Sequence, residues 1–242
     1  MARVAVVSDV HGNLTALDAV IADLARTAPD LVVNGGDLVS SGSSPADVID
    51  RIRQLGWPGV MGNTDEMLWA PERLERALAA PHFAALKKII LEHVIPATLE
   101  AIGDERRAWL RTLPLSWSDE HLSVVHASPD DAWQSPGVKA TDDELERAYV
   151  ALGTPFVVYG HIHHPFVRTT KRLTVVNSGS VSLSYDGDPR ASYALIDGDR
   201  VEIRRIEYDI EEEVARLRAA RDPHAEWIAQ MLRAGSFVPL PA

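Results

Sequence analysis

Along this chain, short apolar runs alternate with longer stretches of helical periodicity. The apolar run from Arg3 to Ser8 is Val-rich, which predicts a buried strand. From Leu14 to about Arg26, Leu14, Leu17, Val20, Ile21 and Leu24 share one helical face, with Asn13 as the cap. "DLVVNGGD" (30–37) predicts a second strand. Ser44 as cap and Pro45 at the first turn predict a helix through Leu55. "PGVMGNTD" (58–65) predicts a third, short strand. This β-α-β-α-β order implies a parallel sheet with helical crossovers, each strand ending in a polar cluster.

Residues 66–113 change period. Leu74, Leu78, Phe83, Leu86, Ile89, Ile90, Val94, Leu99, Trp109 and Leu110 predict two to four helices, broken near Pro81, Pro96 and Gly103. Two placements are open: a cap inserted into the α/β body, or a cover on one sheet face. Strands return at 122–127 and 155–165, separated by a helix from Asp142 to Leu152. Further strands follow at 165–170, 173–177, 191–197 and 200–207 without long crossovers, the last two joined by the hairpin turn "DGDR". A helical tail occupies roughly 210–233. The whole reads as a single domain over 1–242, with a helical insertion at about 66–113 and a C-terminal tail at about 210–242.

Five polar clusters fall at strand ends: Asp9-Val10-His11, Gly36-Asp37, Gly62-Asn63, His126 and Gly160-His161-Ile162-His163. Each alone is weak. Together, Asp9, His11, Asp37, Asn63, His126, His161 and His163 form an oxygen and nitrogen donor set suited to Mn, Fe, Zn or Ni. In an extended segment, side chains i and i+2 point the same way, so Asp9 and His11 can grip one ion, and His161 and His163 can reach into the same space. Seven ligands suffice for two divalent ions, a clamp for phosphoryl oxygens.

The ordered set "DVH", "GD", "GN", "H", "GHIH" resembles the calcineurin-like metallophosphoesterase superfamily, closest to its small bacterial and archaeal phosphodiesterases. "VNSGSVS" (176–182) resembles their "NPGSV" segment. The resemblance implies a four-layer α/β/β/α sandwich with mixed sheets. It also implies a phosphodiesterase or phosphatase using metal-bound hydroxide on a phosphodiester or activated phosphomonoester. Asp9, His11 and His163 would then bind one metal, and Asn63, His126 and His161 the other. Asp37 would bridge both, and manganese is the favoured metal. Many relatives carry a leaving-group-protonating His after Gly-Asn. Here Thr64 stands there, followed by Asp65, which is left with no histidine to orient. A hydroxyl is a poor general acid near neutral pH, so acidic leaving groups are expected. His164 is directed away from His163, and His82 and His93 are read as packing or surface residues. Asn34 and Ser178 are explained by turn chemistry. Trp69 and Trp133 follow metal-site loops and are candidates for stacking on a base.

Bulk properties narrow the partners. The net charge is −11, which argues against extended nucleic acid and lowers a nuclease reading. Cysteine is absent, which excludes disulfides and thiolate sites and fits a cytoplasmic location. No membrane span is expected. The expected partner is a small phosphate ester, a nucleotide being the favoured class, and a homo-oligomer is compatible. The competing readings are a phosphomonoesterase or protein phosphatase of the same family and a metal-binding interaction scaffold.

Overall fold

The structure, a computed structural model, describes residues 2–240, so the last two positions of the expected tail lie outside the described residues. In chain order the elements begin with β1 (Val4–Val7), α1 (Leu14–Thr27), β2 (Leu31–Asn34), α2 (Pro45–Leu55), α3 (Asn63–Glu66), α4 (Pro71–Ala77), α5 (Ala84–Ile89) and α6 (Ile95–Leu110). They continue through β3 (Ser116–Ser118), β4 (Leu122–Val125), α7 (Asp142–Tyr149), β5 (Phe156–Tyr159), β6 (Phe166–Thr169) and β7 (Thr174–Asn177). The last are β8 (Ala191–Asp197), β9 (Arg200–Ile206), α8 (Ile210–Ala219) and α9 (Ala225–Ala234).

Two mixed sheets form the centre. One has the order β2-β1-β8-β9, with β1 and β2 parallel and β8 and β9 an antiparallel hairpin. The other has the order β3-β4-β5-β7-β6, with β4, β5 and β7 parallel and antiparallel strands at both edges. The two-residue side-chain period of a strand explains the layering. In β1, Val4 and Val6 face the second sheet, meeting Leu122, Val124, Phe156, Val158 and Val176. Ala5 and Val7 face the other way, toward Leu17, Val20, Ile49 and Ile52 of α1 and α2. On the far side of the second sheet, Val157, Tyr159 and Val175 pack on Leu145 and Tyr149 of α7. The result is the four-layer α/β/β/α sandwich. Burying each Val or Leu contributes about 1.5–3 kcal/mol, so the three apolar seams dominate the fold.

The helical segment after Asn63 packs beside α2. Leu74, Ile95, Ile102 and Leu110 join the same core as α1 and α2, and Arg106 makes a forked pair with Asp50 of α2, at 2.9 and 2.5 Å. Pro96 does not break this segment. A single π turn, Ile90–Val94, precedes it, and Ile95 N–H reaches back to the Ile90 carbonyl. The widened turn absorbs a residue that has no N–H to give. The interruption expected near Gly103 is present, with φ 69°.

Other expectations need correction. Residues 58–65 form no strand: Gly59 makes one isolated bridge to Asn34, and Asn63 opens α3. A Cβ on Gly59 would meet Asn34 Cβ and its carbonyl oxygen at 2.5 Å, so only glycine fits at this bridge. Ser44 precedes α2 but its side chain makes no cap bond; its hydroxyl pairs with that of Ser43. Asn13 does cap α1, accepting from Ala16 N–H at 2.9 Å. The edge strand β3 carries no sequence signal, because Ser-Trp-Ser is too short to show alternation. In the tail, α8 and α9 pack on Leu183, next to the "VNSGSVS" loop. Among the described residues no helix is long and apolar enough to cross a membrane.

Candidate metal centre

The strands β1, β2, β4 and β5 release their loops at one end of the sandwich, and the polar residues there do not stay extended. Asp9, His11, Asp37, His161 and His163 have φ of 58°, 49°, 53°, 65° and 56°. Side chains rarely accept this left-handed backbone, which costs on the order of 1–3 kcal/mol per residue. An extended chain with its i, i+2 alternation is therefore not what places these side chains. Alternate residues coil left-handed, and that coil, not a pleat, aims both side chains inward. Cross-loop bonds hold it: Asp9 N–H to the Gly36 carbonyl at 3.0 Å, His11 N–H to Asp37 at 2.9 Å and Gly12 N–H to Leu38 at 2.8 Å.

Asp9, His11, Asp37 and His163 are buried, and one ligand atom from each lies within 4.8 Å of all the others. His163 Nε2 stands 3.1 Å from Asp9 Oδ1 and 3.2 Å from His11 Nε2. His11 Nε2 is 3.7 Å from Asp37 Oδ2. A second group meets the other oxygen of Asp37. His126 Nε2 lies 3.4 Å from Asp37 Oδ1 and 3.0 Å from Asn63 Oδ1. Asn63 Oδ1 is also 2.8 Å from His161 Nδ1. All seven expected residues are thus brought together, with Asp37 between the two groups.

The donor chemistry fits a divalent metal. His126 Nδ1 faces the Gly35 carbonyl at 2.9 Å, and His163 Nδ1 faces the Leu183 carbonyl. A carbonyl only accepts, so each Nδ1 carries a proton, and each Nε2 presents a lone pair wherever it carries no second proton. Those lone pairs point at carboxylate and amide oxygens, which also only accept. Such an arrangement needs a cation or an added proton at its centre. Metal-ligating histidines are commonly fixed by such an outer carbonyl.

The electrostatics agree. Burial pushes His11 down to about 4, against the pull of Asp37. Burial also pushes His161 down to about 4, with His126 adding to it. For His126 burial opposes charge, but the neighbouring Asp37 outweighs it and the ring is pushed up to about 10. Asp37 is correspondingly held well below the usual carboxylate range: burial opposes ionisation and the facing His126 and His11 rings overcome it.

Asp65, left without a role by the sequence, is fully buried. It accepts from Gly62 N–H at 3.0 Å and from Leu38 N–H at 3.0 Å, tying the α3 turn to the loop after Asp37. Burial, then the charge on Asp37, pushes it up to about 7. The clue was an acid three residues into a helix, the second half of a capping box. Thr64 donates its N–H to Asp37 Oδ1 at 2.8 Å. Gly160 and Gly62 allow close approach: a Cβ on Gly160 would meet Asp9 Oδ2 at 2.3 Å, and one on Gly62 would meet Asp37 Oδ1 at 2.1 Å.

Asn177 of β7 repeats what Asn34 does in β2, each accepting from the N–H two residues on, at 3.0 and 2.9 Å. Ser180 supports Asp9, its hydroxyl donating to the Asp9 carbonyl at 3.0 Å. Tyr185, not singled out from the sequence, stacks on the His163 ring with centroids 4.6 Å apart. His164 faces the Ile162 carbonyl at 2.8 Å, while His82 packs on Phe83 and His93 on His224. Both candidate stacking tryptophans have partners within the protein. Trp69 lies under Arg111, and Trp133 donates Nε1–H to Glu66 at 2.5 Å.

The model of the calcineurin-like phosphoesterase superfamily domain matches residues 2–200. The chain belongs to the calcineurin-like phosphoesterase superfamily. This phosphoesterase is accordingly an enzyme, a metal-dependent phosphoric ester hydrolase. Its structure resembles the crystal structure of a metallophosphoesterase from Sphaerobacter thermophilus, with a TM-score of 0.78 and 28% identity, covering 96% of this chain and 99% of that one. An uncharacterized protein of Methanocaldococcus jannaschii is 28% identical over 255 residues, 96% of this chain and 98% of the relative. Phosphodiesterase YfcE of Escherichia coli is 23% identical over 209 residues, 82% of this chain and 89% of the relative.

Proposed function

We propose that this phosphoesterase hydrolyses phosphodiester or activated phosphomonoester bonds at a centre of two divalent ions, manganese being the working metal and nucleotides the favoured substrate class. The observation that carries this reading is Asp37, whose two carboxylate oxygens face different ligand groups. Asp9, His11 and His163 would hold one ion, and Asn63, His126 and His161 the other, with Asp37 shared. Two such ions would polarise the phosphoryl oxygens and make an attacking water acidic.

The protein's own residues do the positioning. Thr64 N–H fixes the orientation of Asp37. The Gly35 and Leu183 carbonyls fix the tautomers of His126 and His163. No imidazole stands at position 64 to protonate a departing oxygen. Esters whose leaving group departs as a weakly basic anion therefore suit the site better than alkyl monoesters. The similarity to a relative named a phosphodiesterase supports the diester side of this reading.

The test is hydrolysis of bis-p-nitrophenyl phosphate and p-nitrophenyl phosphate by the manganese-loaded protein, followed by a screen of cyclic and linear nucleotides. Turnover of the aryl diester, abolished in Asp37→Ala, is expected. No turnover of either ester, or an Asp37→Ala variant as active as the parent, would overturn the reading.

A further inference from the structure

Beside the Asn63 and His126 half of the centre lies a closed ring of polar contacts that none of the ligands accounts for. Glu66 sits on α3, three residues after Asn63. Its Oε2 accepts from Trp133 Nε1–H at 2.5 Å and faces Arg73 Nε at 3.8 Å. Arg73, on α4 of the helical segment, donates Nη2–H to Asp131 Oδ1 at 2.5 Å. Asp131 Oδ1 in turn accepts from Trp133 N–H at 2.8 Å. The four residues come from two stretches 58 to 67 positions apart, and all four are half-buried.

The ring joins the carriers of two candidate ligands. One carrier is α3, which Asn63 opens. The other is the 128–133 loop, which follows His126 and is closed by Ser128 N–H on the Asp131 carbonyl at 2.9 Å. On its other side this loop is held by Tyr149, whose hydroxyl donates to the Ala127 carbonyl at 2.7 Å. The Asn63 to His126 contact of 3.0 Å is thus spanned by a brace that touches neither ligand. Nothing in the ring reaches Asp9, His11 or His163. Arg73 faces both Glu66 and Asp131, so one guanidinium ties α3 to the loop.

We propose that Glu66, Arg73, Asp131 and Trp133 are positioning residues for the Asn63 and His126 half of the centre, and that through Arg73 the helical segment sets how tightly that half holds its ion. The inference rests on the two-ion reading above. Partners one shell out from a metal ligand commonly govern about 10–100-fold in metal affinity, and the same range is expected here.

The test is calorimetric titration of Mn²⁺ into metal-stripped protein, with electron paramagnetic resonance reporting exchange coupling between bound ions. In the parent, the binding event lost in Asn63→Ala identifies the braced half. Arg73→Met and Trp133→Phe should weaken that event alone by about 10–100-fold, leave the other event unchanged and reduce the coupled signal at limiting metal. Arg73→Lys, which keeps the charge but not the fork, should recover part of the loss. The thermal midpoint of the metal-free protein should stay at the parent value. Trp133→Phe deletes one N–H and no charge, so it carries the test if Arg73→Met does not fold. Unchanged affinities in both variants, or equal weakening of both events, would overturn the inference while leaving the two-ion reading intact. A single equivalent of Mn²⁺ in the parent would instead overturn the two-ion reading itself.

Discussion

Thr64 donates its backbone N–H to Asp37 Oδ1 at 2.8 Å, and its hydroxyl donates to the Val39 carbonyl at 3.2 Å. Both donors are thus spent on orienting the loop around the Asp37 carboxylate. The hydroxyl is not free to protonate a leaving group, and at neutral pH it would be a poor acid in any case. Rates should therefore fall steeply as the leaving group becomes more basic. Thr64→His keeps the N–H bond to Asp37 and adds an imidazole at the position. It should raise kcat/KM for alkyl esters more than for aryl esters, by up to about 10²-fold, the low end of what general acid catalysis contributes. A leaving-group series measured on both proteins checks this. Parallel slopes would show that position 64 does not face the departing oxygen.

Close approach at Gly160 gives a sharper prediction. A methyl there would lie 2.2 Å from Ser8 Oγ and 2.3 Å from Asp9 Oδ2, so Asp9 must move. Ser8 itself donates to that oxygen at 2.6 Å, which leaves no slack. Gly160→Ala should abolish hydrolysis and weaken Mn²⁺ binding at Asp9, in a protein that still folds. Gly137 has nothing within 4 Å of the same methyl, and Gly137→Ala should behave like the parent. Metal stoichiometry and turnover on the two variants separate a local clash from a general intolerance of side chains.

Why the candidate ligands could be read from the sequence, and their supports could not, follows from how far each signal reaches along the chain. Asp9, Asp37, His126 and His161 each follow an apolar run within a few residues, so strand and ligand are legible together. The left-handed backbone at Asp9 and His11 is imposed by loops 25 or more residues away, through bonds such as His11 N–H to the Asp37 carbonyl. No local propensity announces it. The strand expected at 58–65 failed because Asn63 takes the opening position of α3, a choice made by Asp65 reaching back to Gly62 N–H. Arg73 and Asp131 look like ordinary surface charges in the sequence; only the fold makes them partners.

Asp23 offers a stability measurement independent of the metal centre. It lies on α1 and is out of solvent, bonded to Arg204 of β9 at 3.1 Å twice, to the Tyr193 hydroxyl of β8 at 2.8 Å and to Arg26 at 2.7 Å. Burial favours the neutral acid, but the Arg204 guanidinium, with Tyr193 and Arg26, outweighs it and holds the carboxyl below the usual carboxylate range. A depressed folded value stabilises the protein above the unfolded value, and that stability drains away as pH falls through the folded one. Asp23→Asn should cost about 3 kcal/mol at pH 7, as for a broken buried pair. The gap between parent and variant should be constant above about pH 5 and close at lower pH. Urea unfolding across that range checks both the size and the sign; a gap that widened in acid would contradict the assignment.

Metal removal should register in the fold as well as in turnover. Asp9, His11, Asp37 and His163 are buried around one point, with Nε2 lone pairs facing carboxylate oxygens. The unfolded chain cannot assemble that donor set, so bound metal stabilises only the native state. At a free concentration of 100 times its Kd, one ion adds about 2.7 kcal/mol. For a chain of this size each kcal/mol moves the thermal midpoint by about 2–4 °C, so Mn²⁺ should raise it by roughly 5–10 °C per site. Chelation should reverse the shift. Asp37→Ala should lose nearly all of it, because both ligand groups lean on that carboxylate, whereas Asn63→Ala should lose only the part that belongs to one site. The midpoint, followed across a Mn²⁺ series for the parent and both variants, decides the matter. A parent whose midpoint ignores Mn²⁺, or an Asp37→Ala variant that responds as the parent does, would show that the buried cluster is held by protons rather than by metal.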